Sequence, residues 1–435
     1  MSGSIDLLVI GGGMAGLSAA AYASRHGANV VLVEKAPEVG GSAAYARFIH
    51  TPPTVEVMQE VNPDGDPKLT RRLVEGLAGG LEWVRSLDVH VADPIPILGY
   101  SRGCPTDMAA YLHACQQIVR KHGELLTNAA TQRLLVEDGA VTGAVVRTPS
   151  GDRTIHARST LLATGGFGGD PELRARHIHP QARDLTLRAN RYSTGDGLRL
   201  AQPAGAAFGP SGAGFYGHLI PSKVAYTNPY EFVELTFYHG EHGIIVNLDG
   251  QRFCDETLGD HLNALEVLEQ REGRALMITD KRVHAQWMMT PYVKGAEVND
   301  KFRLAYERGA RAAIAEEIDE FEALPEEWGY PGAVVRDTLK AFNESPARAR
   351  DSDALLDPPY YVIEVIPAIT HTYAGLAIDE HARVLDERGE PIPGLLAAGA
   401  DAGGITRRAY TGGLAQGLVF GLQAARTAAA QPAAA

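Results

Sequence analysis

Three cysteines in 435 residues, Cys104, Cys115 and Cys254, exclude a disulfide scaffold, a cysteine-held iron–sulfur cluster and a CxxCH haem site. An odd, sparse set of thiols suits a reducing compartment. Long apolar runs are missing too. Leu7–Ile10 has no basic stretch ahead of it and falls far short of the roughly 20 residues that span a bilayer. No twin-arginine leader is present. Positive charge is in deficit: 40 Lys and Arg stand against 53 Asp and Glu, a net charge of −13, and no basic block appears, which argues against a nucleic-acid partner. No His/Cys/Asp/Glu spacing of a metal site is found. These absences predict a soluble, cytoplasmic, metal-free protein with no transmembrane segment.

What is abundant is glycine, 48 residues, much of it at the ends of apolar runs. Residues 5–10 are near-continuously apolar, the mark of a strand covered on both faces. Gly11-Gly12-Gly13-Met14-Ala15-Gly16 follows. An Ala-rich helix over 14–26 and a strand over 30–34 ending in Glu34 complete a βαβ unit. Gly11 permits the tight turn, Gly13 lets a pyrophosphate approach the backbone, and Gly16 lets helix and strand pack closely. The helix N-terminus, at Met14 and Ala15, favours the phosphate charge. Glu34 can accept hydrogen bonds from a ribose.

Four further features select FAD over NAD. Glu34-Lys35 runs into Val39-Gly40-Gly41-Ser42, a second glycine turn. Short runs at 134–136, 141–146 and 153–155, separated by Asp-Gly and Ser-Gly turns, predict a β-meander. A separate apolar strand at 160–163 ends in Thr164-Gly165-Gly166. The late Gly399-Ala400-Asp401 closes a site opened almost 390 residues earlier. Helices are predicted at about 68–87, 106–121, 301–322 and 333–343, a hairpin around Leu248-Asp249-Gly250, and a strand at Tyr360–Val365. The expected fold is α/β: a Rossmann-like FAD-binding domain of the glutathione-reductase type over 1–210 and 358–435, with an inserted α+β capping domain over 211–357.

Across nearly its whole length the chain resembles the flavoprotein subunits of fumarate reductases and succinate dehydrogenases. Within that group it is most similar to the 3-ketosteroid and tricarballylate dehydrogenases. The markers are GGGMAG with Glu34-Lys35, Gly40-Gly41-Ser42, Ala163-Thr164-Gly165-Gly166, Thr194-Gly195-Asp196-Gly197, Val246-Asn247-x-Asp249-Gly250-x-Arg252-Phe253, His371-Thr372-x-x-Gly375 and Ala398-Gly399-Ala400-Asp401 leading to Gly412-Gly413. The resemblance implies that Asp401 meets the flavin ribityl chain and that Leu414 and Ala415 approach the pyrimidine edge. Some members attach FAD through a histidine near the Gly-Gly-Ser turn. Here Ala43 and Ala44 follow it and the nearest histidine is His50, so FAD is expected to be non-covalent.

Two departures direct the chemistry. Fumarate reductases bind a substrate carboxylate with an arginine two residues before the final Gly-Gly; this chain has Tyr410. They draw the proton from an arginine soon after the Arg-Phe-x-Asn-Glu segment; here none follows Arg252–Glu256 until Arg271. Dicarboxylate chemistry is therefore not expected. The expected reaction is desaturation: a C=C bond formed α,β to the carbonyl or carboxylate of a small or cyclic substrate. It requires a polarising donor, a base for the Cα proton and hydride transfer to flavin N5. Tyr410 and His371 are the first candidates, either of them base or polariser. Arg407 and Arg408 can lower the Tyr410 pKa or anchor a carboxylate, and Tyr373 is a further donor. Arg252 is assigned to holding the hairpin, Tyr216, Tyr238 and His239 to a pocket wall or to packing, and Tyr100 and Arg102 to the pocket edge. The same site run backwards is an ene-type reductase, and a flavin-binding subunit without turnover is the non-catalytic alternative. Electrons are expected to leave to an external acceptor: a quinone, an electron carrier or O2.

Overall fold

The structure is a computed structural model and describes residues 5–226, 231–289, 298–344 and 354–431. Among these, the chain divides into two compact units. The first comprises Met1–Ile178, Ala189–Phe215 and His371–Ala435; the second comprises His179–Arg188 and Tyr216–Thr370. The second unit extends to Thr370, where the expected capping domain ended at 357, and it also takes in the short segment 179–188. One strand accounts for both shifts. Tyr360–Thr372 runs for 13 residues through the second unit's sheet, and Thr186–Leu187 pairs with its far end.

The first unit is built on an eight-stranded sheet. Ile5–Ile10 lies between Val30–Val33 and Gly151–Leu162 and is parallel to both. Glu124–Leu126 extends one edge in parallel, and Pro391–Ala397 pairs in parallel with Gly151–Leu162 on the other side. Leu7, Leu8 and Val9 are fully buried, as a strand covered on both faces requires. Ala130–Glu137, Ala140–Thr148 and Gly151–Leu162 form the expected antiparallel meander. The last of these and the apolar run at 160–163, expected as separate strands, are continuous. His156-Ala157-Arg158-Ser159 contains no turn residue, so the chain stays extended. Its first half pairs antiparallel in the meander, and its second half pairs parallel with the opening strand.

The Ala-rich helix runs over Met14–Arg25, and two others over Pro67–Arg85 and Met108–His122. The C-terminal helix, Gly413–Ala430, packs against the first helix through glycines. A Cβ on Gly417 would meet the Met14 Cβ at 3.1 Å, and one on Gly421 would meet the Ala15 carbonyl oxygen at 2.5 Å. The two ends of the chain therefore share one packed interface.

The second unit centres on the strand Tyr360–Thr372. Thr186–Leu187, Phe215–Pro221, Ala275–Asp280 and Ala312–Ala315 all pair with it, and Ile244–Val246 extends the sheet beyond Ala275–Asp280. Ile244, Leu276, Val335, Leu339 and Val362 pack in one apolar core. The buried Glu364 carboxylate within this sheet is fully paired: Arg274, Arg311, Ser222 and Tyr330 all donate to it. The expected helix over 301–322 is broken. A helix covers Lys301–Glu307, Gly309 turns the chain at φ +88°, and Ala312–Ala315 becomes a strand. The hairpin at Leu248–Gly250 and the helix Gly332–Glu344 are present.

Candidate active site

The cofactor cradle separates glycines that are small for packing from one that is small for a ligand. A Cβ on Gly11, whose φ is +107°, would sit 2.2 Å from the Ala163 carbonyl oxygen. A Cβ on Gly16 would sit 1.9 Å from that of Gly11. At Gly13 nothing lies within 4 Å. Gly13 is also the N-cap of the first helix, and no side chain caps it. The helix therefore presents backbone N–H groups that no side chain caps, across an open approach, which is what a pyrophosphate needs. Gly40 and Gly41 have φ of +124° and +53°, and a Cβ on Gly41 would lie 3.2 Å from the Gly13 Cα, so the second glycine turn abuts the first.

Glu34 is held in place by two backbone donors: Gly12 N–H to Oε2 at 2.7 Å and Ala36 N–H to Oε1 at 2.8 Å. Each oxygen keeps a lone pair for a ribose hydroxyl. Lys35 Nζ donates to Thr194 Oγ1 and Asp196 Oδ2, both at 2.7 Å, fastening the Thr194–Gly197 motif beneath the acidic residue. Ser42 Oγ accepts from the Asn190 N–H at 3.2 Å.

Asp401 is fully buried, and its carboxylate accepts from the Thr164 N–H, from Thr164 Oγ1 at 3.0 Å and from the Gly166 N–H at 3.0 Å. It braces the Thr164-Gly165-Gly166 turn, so whatever it contributes to a cofactor passes through that turn. Burial pushes this carboxyl up to about 6 against the opposing pull of those hydrogen bonds. The residues present thus fit FAD: an open diphosphate face, a ribose acceptor and two glycine turns that meet.

At the N-terminus of the C-terminal helix the candidate chemical groups converge. Gly412 has φ +103°, and a Cβ there would collide with the His50 carbonyl oxygen at 1.8 Å. Gly413 opens the helix, and its N–H donates to Tyr410 Oη at 2.8 Å. A Cβ on Gly413 would touch that hydroxyl at 3.1 Å and the His371 ring at 3.4 Å. His371 and Tyr410 therefore flank the same backbone position. The His371 ring is half-buried, and desolvation lowers it to about 4, so it is neutral at physiological pH.

Gln416, one turn into the helix, opposes the lowering of this imidazole. Its amide nitrogen donates to the carbonyls of Gly399 at 2.9 Å and Ala402 at 3.2 Å, and a side-chain hydrogen bond joins it to His371. With its NH2 committed to those carbonyls, Gln416 has only its oxygen left for the imidazole, a contact that favours a ring N–H on that side. No motif pointed to Gln416. The available signal was a lone amide in an otherwise apolar helix, one turn past Gly412-Gly413.

The remaining candidates scatter. Tyr373 is buried, with its ring centroid 6.1 Å from that of His371. Arg407 is half-buried and Arg408 exposed; the backbone of Arg407 is pinned by Asn62 and Gly214. Tyr100 Oη donates to the Tyr410 carbonyl at 3.0 Å, holding the loop, while Arg102 faces solvent and donates to the Pro94 carbonyl at 3.0 Å. Arg252 chelates Glu256 beside the hairpin. His50 is buried beside Tyr410, at 5.1 Å between ring centroids, and burial lowers it to about 4. Leu414 and Ala415 are buried in the first helical turn. No group of metal-ligating side chains occurs among the described residues, and no described helix is long and apolar enough to cross a membrane.

This cradle and fold define an FAD-dependent oxidoreductase acting on carbon–carbon bonds. Residues 99–414 match the family described as FAD binding domain, and residues 6–166 match that described as FAD dependent oxidoreductase. The chain belongs to the FAD-binding-domain family. It is 29% identical to the probable fumarate reductase Ifc3 of Shewanella frigidimarina over 98% of this chain and 75% of that one. It is 27% identical to the vinyl phenol reductase of Lactiplantibacillus plantarum over 94% and 92%. The 3-ketosteroid Δ1-dehydrogenase of Sterolibacterium denitrificans shares the fold at a TM-score of 0.78, with 18% identity over 99% of this chain and all of that one.

Proposed function

We propose that the protein desaturates a carbon–carbon bond beside the carbonyl or carboxylate of a small or cyclic substrate, handing the electrons to a quinone, an electron carrier or O2. The observation that carries this reading is the uncharged donor at the helix N-terminus. Tyr410 accepts the Gly413 N–H, so its own proton is directed to a different acceptor, and the helix field favours negative charge there. A phenol beside a helix N-terminus suits an oxygen that becomes enolate-like as a Cα proton leaves. It does not replace the guanidinium that a dicarboxylate would require, and Arg408 is exposed.

FAD, when bound, supplies the acceptor for the hydride from Cβ. Tyr410 donates to the activating oxygen. His371 accepts from a substrate O–H or N–H and orients it; held near 4, it is too weak a base to remove a Cα proton efficiently near neutral pH. FAD is held non-covalently, His50 being buried and neutral.

Reduction of an activated C=C bond is the second reading. The names of the two curated relatives, a probable fumarate reductase and a vinyl phenol reductase, favour it. Anaerobic mixing separates the two. In the first reading saturated ketones or acids bleach the flavin. In the second, unsaturated compounds reoxidise the dithionite-reduced protein and saturated ones do nothing. Tyr410→Phe slows either by about 100- to 1,000-fold; an unchanged rate removes Tyr410 from the mechanism.

A further inference from the structure

Positive charge collects around Tyr238 inside the second unit. Thr186–Leu187 pairs with the far end of Tyr360–Thr372, and the next backbone N–H, that of Arg188, donates to the Ile369 carbonyl at 2.7 Å. The Arg188 side chain is held by hydroxyls. Its Nη1 donates to Thr370 Oγ1 at 3.1 Å and its Nη2 to Tyr238 Oη at 3.0 Å. Lys301 Nζ stands 5.5 Å from the centroid of the same Tyr238 ring and donates to the Glu234 carbonyl at 2.9 Å. Two cations therefore lean on one phenol, one at its hydroxyl and one at its ring.

The charge of Arg188 is not matched. Among the described residues no carboxylate lies within ion-pair distance of it, and no acceptor takes the second N–H of either terminal nitrogen. Its Nε is sealed from solvent without a partner. The acids nearby are engaged elsewhere. The Glu234 carboxylate pairs with Arg308, and Asp260 is committed to His218 and the Leu219 N–H. Arg188 is half-buried and within reach of a ligand, whereas Lys301 is 8% exposed. A guanidinium partnered only by hydroxyls has lost hydration without gaining a counter-charge.

We propose that Arg188 anchors a monocarboxylate-binding site in the second unit, its two unused terminal N–H groups taking the carboxylate oxygens and the buried Lys301 adding to the attraction. This goes beyond the redox reading and does not depend on it. One N–H left on each terminal nitrogen is the number that a two-oxygen acceptor takes, and Thr370 and Tyr238 hold the fork in place. The charge balance favours a monoanion. Burial lowers His218 well below the ordinary imidazole range and His239 to about 3, so neither adds charge. Burial pushes the Asp260 carboxyl up to about 7, so it offsets only part of the positive pair.

Lys301 reports on occupancy. Burial lowers its ammonium to about 8; Glu234 opposes this, Arg188 adds to it and Asp260 opposes it. A bound anion must raise it again. The test is a 13C-lysine NMR pH titration of the FAD-loaded protein, with the Lys301 resonance assigned by its loss in Lys301→Arg. Sodium benzoate or sodium acetate must move the Lys301 midpoint upwards. Benzamide, and sodium chloride at equal ionic strength, must leave it in place. Arg188→Gln must raise the midpoint without any ligand, by removing a like charge, and must weaken carboxylate binding about tenfold or more. Arg188→Lys keeps the charge but loses the fork, so it must weaken binding too and decides should Arg188→Gln fail to fold. A midpoint unmoved by both carboxylates, one moved as far by chloride or benzamide, or binding unchanged by the Arg188 substitutions overturns the site.

Discussion

Asp401→Asn reports on how the turn beside the flavin cradle is held. The wild-type carboxyl is fully buried and rises from 3.8 to about 6, which corresponds to about 3 kcal/mol between the protonated and ionised forms. The folded pKa lies above the unfolded one, so the folded state binds more protons in between. This contribution is fully present below about pH 4 and is lost as pH rises through about 6. Asparagine cannot ionise, but it turns an N–H2 towards the Thr164 N–H, a donor facing a donor, at about 1–3 kcal/mol. The variant should therefore be less stable than wild type by that amount at pH 4. At pH 7, where wild type has lost about 3 kcal/mol, the two should be level or reversed.

Urea denaturation of both proteins at pH 4 and 7, followed by circular dichroism, measures the gap. His50 and His371, both lowered to about 4, pull the other way as pH changes. They are common to both proteins and cancel in the difference. A gap that widens from pH 4 to pH 7 would refute the reasoning, since it would mean that three hydrogen bonds to the carboxylate outweigh its desolvation.

Two glycine substitutions should separate fold from cofactor. Gly13→Ala points a methyl into open space, so the circular dichroism spectrum should survive while the 450 nm absorbance of the purified protein falls at least tenfold; Gly16→Ala drives a Cβ to 1.9 Å from the Gly11 carbonyl and should abolish soluble, folded protein. Gln416→Leu removes the acceptor for His371 and two carbonyl partners. It should slow the flavin reaction by about tenfold or more, with a visible shift in the His371 ring resonances, and unchanged resonances would exclude its control of that imidazole. Glu364→Gln leaves Arg274 and Arg311 facing a neutral side chain and should cost about 3–5 kcal/mol in urea denaturation; a loss below 1 kcal/mol would show that the cluster is already neutralised by solvent.

The cofactor half of the molecule was legible because its signals are local. An apolar strand, a glycine turn, an Ala-rich helix and a terminal acid are read within 30 residues; Gly16 answers to a contact within that span and Gly11 to a strand end, while Gly13 is left open. The meander was legible for the same reason, since Asp-Gly and Ser-Gly turns mark it. Its last strand was divided in two because the reading looked for a fresh apolar run, whereas the backbone needs only the absence of a breaker to continue. The insertion was harder. Its boundary depends on Tyr360–Thr372, a strand whose four paired neighbours come from segments up to about 180 residues away, and no local periodicity encodes that. The helix expected over 301–322 failed at Gly309, where a positive φ ends it.

The site divides along the same line. Tyr410 and the Gly412-Gly413 pair stand in one motif and His371 opens another, and the structure brings all of them to one helix N-terminus. Gln416, His218 and Asp260 were not singled out because their meaning is relational. A glutamine in an apolar helix, a histidine in an apolar strand and an aspartate at a helix start each have an ordinary explanation alone. Only the approach of Asp260 to His218 across 42 residues makes a buried pair of them. Tyr410 standing where an arginine was expected showed which charge the site lacks. It could not show what moves the proton instead, because a residue that is absent from one strand leaves no trace of its replacement on another. A low-basicity His371 beside Tyr410 separates, in the proposed reaction, the two tasks that the sequence had assigned to this pair together: Tyr410 polarises the activating oxygen, and the burden of removing the Cα proton does not fall on His371.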